Sequence, residues 1–286
     1  MRVWSIEGNR QRLDGGAMFG NAPRALWARW IEPDERNLVE LSCRAMLVDD
    51  LDGKRVLFEA GIGAFFEPKL KIRYGVMESA HVLLDSLEQC GAPHDEIDVV
   101  VLSHLHFDHA GGLLSAYREG RPSELLFPNA RFLVSRRAWE RALDPHPRDR
   151  ASFIPDLNRL LAASGRLELV DDDEVPSLGD AVRFTYTEGH TPGLMHAEVG
   201  GDGGIVFCSD LIPGRPWVHL PVTMGYDRYP EQLIDEKRLF LEDKVARSVR
   251  LFFTHDVGCA IATPVLDGRG HFGVRDERQC AEAMLM

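Results

Sequence analysis

The chain has 286 residues, 44% of them hydrophobic and 27% charged, which is the composition of an ordinary globular protein. Its net charge of −12 argues against a nucleic-acid partner, because affinity for the phosphate backbone comes mainly from Lys and Arg. No apolar run approaches the roughly 20 residues of a membrane span, and the start has no signal-peptide core. We therefore expect a cytoplasmic protein that does not bind a membrane.

The first half of the chain contains one irregular segment and several clear elements. Residues 1–40 are rich in aromatics and lack periodicity, so we predict an irregular N-terminal arm or lid. Two β-prone runs at 45–50 and 55–61 flank a tight Asp-Gly turn and predict a hairpin. Apolar residues near helix spacing predict a helix over 78–90, and the continuous apolar run at 97–104 predicts a strand covered on both faces.

The second half repeats this order in outline. We predict helices at 135–143, 153–165 and 230–247, and strands at 130–135, 167–170, 181–187, 194–199, 203–209 and, as the last one, 250–256. The strands and helices thus alternate in two similar successions, which favours two packed sheets with helices outside. No linker or repeat divides the chain, so we predict a single domain over 1–286.

The segment LSHLHFDHAGG follows the apolar run directly. On an extended segment alternate side chains point the same way, so His104 and His106 converge on one ion. Asp108 and His109 follow where the chain turns into a helix, and we expect them to face a second ion. The next glycines should relieve crowding near the metals. The HxHxDH pattern is far more specific for a metal site than a lone histidine.

Three distant residues extend this cluster. His190, Asp210 and His255 each come just after a predicted strand. Side chains at strand ends are how α/β scaffolds assemble a site from separate parts of the sequence. The five cysteines are scattered and form no CxxC pair, so we predict reduced thiols, and Cys208 is expected to be a packed strand residue.

With SHLHFDHAGG, HTPG and the later aspartate and histidine in place, the sequence resembles the metallo-β-lactamase-fold superfamily of dinuclear metal hydrolases over nearly its whole length. The resemblance implies an α/β fold, an αββα sandwich of two mixed β-sheets flanked by helices. It also implies that one ion is held by His104, His106 and His190, that the other is held by Asp108, His109 and His255, and that Asp210 bridges them. Imidazoles and carboxylates without a thiolate favour zinc, with iron and manganese as alternatives.

Further motifs resemble the lactonase-like branch, which includes quorum-quenching N-acyl-homoserine lactonases and, more distantly, organophosphate hydrolases. These motifs are GGAMFG, FPNARFLVSRRAWE and HLPVTMGYDRYP. Two positions depart from the branch: Leu194 replaces a histidine after HTPG, and Pro213 stands where lactonases have a tyrosine that holds the substrate carbonyl. We expect Tyr226 or His219 to take over this role.

The predicted function is a dinuclear zinc-dependent hydrolase in which a metal-bridging hydroxide opens a lactone or related ester, with N-acyl-homoserine lactones as candidate substrates. Asp108 is the predicted proton carrier. The predicted substrate-binding residues are Met18, Phe19, Phe107, His219 and Tyr226. An organophosphate or phosphodiester hydrolase, a thioesterase and a non-catalytic metal-binding module stay open as alternatives. The expected partner is a small-molecule ester, lactone or phosphotriester, and a homodimer stays open.

Overall fold

The computed structural model describes residues 1–171 and 177–286. The strands are β1 (Arg2–Ile6), β2 (Gln11–Asp14), β3 (Leu38–Leu41), β4 (Ala45–Leu51), β5 (Lys54–Phe58), β6 (Val99–Leu102), β7 (Arg131–Ser135), β8 (Leu167–Val170), β9 (Val182–Thr187), β10 (Leu194–Val199), β11 (Ile205–Phe207), β12 (Arg250–Phe252), β13 (Ile261–Leu266), β14 (Phe272–Arg278) and β15 (Met284–Leu285). The α-helices are α1 (Gly15–Phe19), α2 (Arg24–Trp27), α3 (Pro68–Arg73), α4 (Val82–Gln89), α5 (Phe107–Ala110), α6 (Arg136–Leu143), α7 (Pro155–Ala163) and α8 (Pro230–Ala246).

The strands form two mixed sheets and a small ribbon. The first sheet has the order β15-β1-β4-β5-β6-β7-β8 and is antiparallel as far as β5 and parallel from β5 to β8. The second has the order β14-β13-β12-β11-β10-β9, in which only β11 and β12 run parallel. The ribbon is the antiparallel pair β2 and β3.

Strand β6 shows how the layers are built. Val99 and Val101 pack into the core between the sheets, whereas Val100 and Leu102 pack on the opposite face among α4, α6 and α7 residues. Both faces are buried, which is why the sequence here is apolar without interruption. Helix α8 packs on the outer face of the second sheet. This arrangement confirms the predicted αββα sandwich.

Two local predictions are refined by the structure. The β4–β5 hairpin is confirmed, and its turn residues Asp52 and Gly53 have φ values of 51° and 75°, as a tight turn requires. The helix predicted from residue 78 begins only at Val82. Asn9 holds the preceding turn, because its side chain donates to the Ala80 carbonyl at 2.7 Å and accepts from the Val82 amide at 3.1 Å.

Two predictions about strands are wrong. Residues 1–40 are not irregular throughout, because β1 lies within the first sheet between β4 and β15, and β2 pairs with β3. The segment 250–256 is not the last strand, since β13, β14 and β15 follow it. Strand β14 has the polar sequence FGVRDER and lies at a sheet edge with most residues exposed, so it carries no hydrophobic pattern. None of the helices in the described ranges is long and apolar enough to cross a membrane.

Candidate metal centre

The candidate site lies where parallel strands of both sheets end. Strands β5 and β6 run parallel, as do β11 and β12, so the carboxyl ends of each pair meet at one edge of the sandwich. Glu59 follows β5, His104 follows β6, Asp210 follows β11 and His255 follows β12. His190 comes from the loop after β9. Five residues that are far apart in the sequence therefore lie at this edge.

The turn from His106 to Gly112 presents the remaining ligand candidates. Helix α5 is a single turn that carries Asp108 and His109, and it leads directly into a 3₁₀ turn. A Cβ on Gly112 would lie 1.9 Å from the carbonyl oxygen of Ala60, so only glycine fits there. The glycine therefore allows close backbone packing against the 60–61 loop. The prediction that it relieves crowding beside the metals is wrong.

The structure brings all seven predicted ligands together in two groups. Within each group, one donor atom per residue lies within 4.8 Å of every other donor atom. The first group is His104, His106, His190 and Asp210, and the second is Asp108, His109 and His255. Asp108 is partly exposed, and the other six are buried.

Asp210 stands between the two groups. Its Oδ2 lies 3.2 Å from His190 Nε2 of the first group and 3.3 Å from His109 Nε2 of the second. Its Oδ1 lies 3.2 Å from His255 Nε2. Its carboxylate is therefore in contact with imidazoles of both groups.

Four of the five imidazoles make a polar contact through Nδ1. These contacts leave Nε2 directed toward the centre of the site. The Nδ1 contacts are His104 to Ser103 Oγ at 2.9 Å, His109 to Glu59 Oε2 at 2.7 Å, His190 to Asp227 Oδ1 at 2.8 Å, and His255 to the Ser42 carbonyl at 2.6 Å. Such contacts fix the ring orientation and the tautomer of a metal ligand. His106 is the exception, since its Nδ1 lies 3.3 Å from His190 Nε2.

Glu59 is a further candidate site residue, which the sequence motifs did not indicate. It is fully buried, its Oε1 accepts hydrogen bonds from the hydroxyls of Ser103 and Ser209, and its Oε2 accepts one from His109. Each serine precedes a ligand candidate in the chain. Glu59 follows a buried strand just as Asp210 does, and this signal was available in the sequence. Asp227, behind His190, had no comparable signal.

The charges of the site are distributed unevenly. Burial, reinforced by neighbouring imidazoles, lowers the pKa of His104 and of His106 well below the ordinary histidine value. Burial also acts on His109, but the carboxylates of Glu59, Asp210 and Asp108 outweigh it and raise the pKa of His109 well above the ordinary value. Imidazoles bind metal ions in their neutral form, so the lowered pKa of His104 and His106 favours binding. The carboxylates around His109 attract a cation to the second donor group.

The donor set fits divalent ions. His104 Nε2 is buried and has no hydrogen-bond partner among the described residues, an arrangement that costs free energy unless a further group binds there. Five imidazoles and two carboxylates are ligands that zinc accepts. Cys208 does not join the set, because it is buried with its Sγ directed to the Val206 carbonyl.

A cavity of about 310 Å³ opens onto these ligands. Its base is formed by ligand candidates from both groups, and its walls are mainly apolar and aromatic. Residues that line the walls and rim are Leu13, Met18, Arg73, Tyr74, Phe107, Arg148, Ala151, Ser152, Met224 and Tyr226. Met18, Phe107 and Tyr226, which were predicted to bind substrate, all line this cavity.

The other two predicted substrate-binding residues lie elsewhere. Phe19 is fully buried and stacks between Trp27 at 5.2 Å and Trp217 at 4.6 Å between ring centroids. It points into the core because β2 and α1 place Met18, not Phe19, toward the cavity. His219 stacks on Trp30 at 5.4 Å between ring centroids and lines a separate cavity.

Tyr226 lines the same cavity as the ligand candidates. Partial burial, with the Asp108 carboxylate as a second cause, raises the pKa of Tyr226 to about 12. The side chain stays protonated at neutral pH and can donate a hydrogen bond. It is 41% exposed and reaches the cavity from the loop after Met224.

A sequence profile of the metallo-beta-lactamase superfamily matches residues 38–255, a range that includes every ligand candidate. The chain belongs to the metallo-beta-lactamase superfamily. This places it in a family of metal-dependent hydrolases, as the sequence motifs predicted.

Individual relatives agree with this family. An N-acyl homoserine lactonase of Bacillus thuringiensis is 26% identical over 178 residues, which are 61% of this chain and 62% of the lactonase. The match thus spans about three fifths of that protein. A probable metallo-hydrolase of Mycobacterium tuberculosis is 27% identical over 248 residues, 76% of this chain and 72% of the relative.

Solved structures show the same fold over almost the whole chain. A probable metal-dependent hydrolase from Staphylococcus aureus superposes with a TM-score of 0.84 at 25% identity, covering 96% of both chains. AidC, a dizinc quorum-quenching lactonase solved with a product, has a TM-score of 0.72 at 20% identity over 96% of this chain and 94% of its own.

Proposed function

We propose that this protein is a dinuclear metal-dependent hydrolase that opens lactones or related esters, acting through one domain over residues 1–286. The observation that carries the proposal is the position of Asp210, whose carboxylate lies 3.2 to 3.3 Å from imidazoles of both donor groups at the base of the cavity. Shared carboxylates hold two ions close together, and such pairs serve hydrolytic displacement.

In this proposal the first ion is held by His104, His106 and His190, and the second by Asp108, His109 and His255, with Asp210 shared. We propose zinc, because the donor set contains imidazoles and carboxylates only; iron or manganese would accept the same ligands. When bound, the ions lower the pKa of a water molecule and polarise the substrate carbonyl.

Residues of the chain perform the remaining tasks. Tyr226 donates its phenolic hydrogen to the carbonyl oxygen, which becomes more basic as the tetrahedral intermediate forms. This supplies the hydrogen bond that Pro213 cannot make. Asp108 accepts the proton of the attacking water and returns it to the leaving alkoxide, so the ester bond breaks without net proton exchange with the protein.

The cavity walls support an ester or lactone with an apolar acyl group. Met18, Phe107 and Met224 form an apolar surface next to the ligand candidates, and the side chains of Phe107 and Tyr74 lie 4.7 Å apart between ring centroids. The named lactonase relatives support the same substrate class. We therefore propose N-acyl-homoserine lactones as the first substrates to examine.

The proposal is tested by steady-state kinetics on protein with measured metal content. Substrates are N-acyl-homoserine lactones with short and long acyl chains, an aryl ester, a thioester and a phosphotriester. We expect the highest kcat/KM for a lactone and loss of both metal and activity in His106→Ala.

Three results would contradict the proposal. A higher kcat/KM for the phosphotriester would identify an organophosphate hydrolase instead. Absence of turnover on every substrate by fully metal-loaded protein would favour a non-catalytic metal-binding role. Full turnover with less than one bound ion per chain would exclude a dinuclear mechanism.

A further inference from the structure

A buried glutamine from the N-terminal segment contacts the second donor group. Gln11 Nε2 donates a hydrogen bond to Asp108 Oδ2 at 3.1 Å, and Gln11 is fully buried. We infer that Gln11 is a positioning residue that fixes the Asp108 carboxylate for proton transfer. The inference rests on the proposed function for the role of Asp108, but the contact itself does not depend on it.

The backbone on both sides of Gln11 is fixed. Gln11 pairs with Leu41 across the β2–β3 ribbon and forms a bridge with Val76 on its other side. Adjacent hydrogen bonds join the Arg12 amide to the Gly75 carbonyl and the Met77 amide to the Arg10 carbonyl, each at 2.9 Å. The strand therefore holds the amide group at a defined position, as a positioning residue requires.

The hydrogen-bonding pattern of the side chain points to a functional role. Gln11 Oε1 is buried without a hydrogen-bond partner among the described residues, so the contact with Asp108 is the one hydrogen bond recorded for this amide. A buried amide with half of its polar atoms unpaired is a poor choice for stability alone. An apolar side chain of the same length would suit a purely structural position better.

The hydrogen bond from Gln11 orients the Asp108 carboxylate within the second donor group. Asp108 Oδ1 lies 3.7 Å from His109 Nε2, and Oδ2 lies 3.8 Å from His255 Nε2, so the amide of Gln11 is its shortest recorded polar contact.

This role predicts a dependence on the leaving group. Gln11→Met keeps the length and removes the hydrogen bond. We expect kcat to fall about tenfold or more for phenyl acetate, whose leaving group needs a proton, and only about twofold for 4-nitrophenyl acetate, with KM nearly unchanged. Gln11→Glu, which opposes Asp108 with a second carboxylate, should lower kcat for phenyl acetate further.

Asn158→Leu is the matched control. Asn158 is also a buried amide with one hydrogen bond, from Nδ2 to the Ala142 carbonyl, and an unpartnered oxygen, but it lies on α7 away from the cavity. We expect this variant to change stability and leave the ratio of the two kcat values at its wild-type level.

A second readout does not need activity. Cobalt(II) absorbs visible light according to the geometry of its ligands, so the cobalt-loaded Gln11→Met protein should show shifted bands, whereas Asn158→Leu should match the wild type. An unshifted spectrum would overturn the inference, as would equal losses on both esters. If the wild type hydrolyses no ester or lactone, the proposed function fails, and the cobalt spectra still decide whether Gln11 positions Asp108.

Discussion

Asp210 and Glu59 are both carboxylates at the end of a buried strand, but their surroundings differ. Burial opposes ionisation of Asp210, and the imidazoles of His109, His190 and His255 nevertheless hold its pKa well below the usual range. Glu59 instead contacts two serine hydroxyls and the outer nitrogen of His109. In the proposed dinuclear site, Asp210 would therefore face the ions, and Glu59 would orient the groups that hold them.

The orienting role of Glu59 leads to a prediction about metal affinity. Glu59→Gln keeps the size but removes the charged acceptor for His109 Nδ1, so we expect metal affinity to fall roughly 10- to 100-fold. Competition with a chelator of known affinity measures this. Glu168→Gln, which alters a largely buried carboxylate paired with the half-exposed Arg131, is the control and should bind metal as the wild type does. Unchanged affinity in Glu59→Gln would contradict the assignment.

Tyr226 gives a second prediction for a single side chain. Tyr226→Phe removes only the phenolic donor, and we expect kcat on a lactone to fall roughly 10- to 100-fold with a small change in KM, because the hydrogen bond strengthens as charge develops. Tyr229→Phe, a nearby and exposed tyrosine, should leave kcat unchanged. Equal kcat values for the two variants would show that another group stabilises the carbonyl oxygen.

Elements differ in how much of their structure the sequence reveals. Strand β6 is evident because both faces are buried and every residue is apolar. Strand β14 is not, because its partner β13 satisfies its backbone while its side chains remain polar and exposed. The ligand candidates were predictable from residue type and strand ends. Gln11 was not, since its role depends on a ribbon that brings it to Asp108 from 97 residues away.

Helix α8 contributes a titratable group to the core. Lys237 is fully buried, and its Nζ donates to the carbonyls of Trp217 at 3.0 Å, His219 at 3.2 Å and Val222 at 2.7 Å. Burial lowers the pKa of Lys237 to about 7, with Asp227 acting in the opposite direction. Lys237 therefore links helix α8 to the 217–222 loop, which leads to the cavity wall. With this pKa, its side chain changes protonation state near neutral pH.

This pKa predicts the pH dependence of stability. Between pH 7 and 10.5 the unfolded chain binds more protons at Lys237 than the folded chain, so stability from this residue rises with pH. Relative to Lys237→Met, the free energy of unfolding of the wild type should increase by up to about 1.4 kcal/mol per pH unit in this range. Urea unfolding at pH 7.5 and 9, with equal metal loading, measures it. A relative decrease would contradict the lowered pKa.

At the scale of the whole molecule, the candidate site joins the two sheets. His104 extends from the first sheet, and Asp210 and His255 extend from the second. Ions bound between them would connect both halves of the sandwich in the folded state only. Metal binding is then coupled to global stability.

Metal removal should therefore lower the unfolding temperature. For metal at about 1,000 times its dissociation constant, loss of binding costs about 4 kcal/mol, which corresponds to roughly 10 °C for a domain of this size. Calorimetry before and after chelation measures the change, and added zinc should reverse it. Asp210→Asn should show a much smaller difference, and an equal difference would indicate that the metal stabilises the fold from another site.

The stack of Phe19 between Trp27 and Trp217 has an optical consequence. Met18 lines the cavity, its carbonyl accepts a hydrogen bond from Trp217 Nε1 at 3.0 Å, and its neighbour Phe19 lies between the two indoles. Any ligand that displaces Met18 must disturb the environment of both tryptophans. Their intrinsic fluorescence is thus a label-free signal for molecules entering the cavity, available before any substrate has been identified.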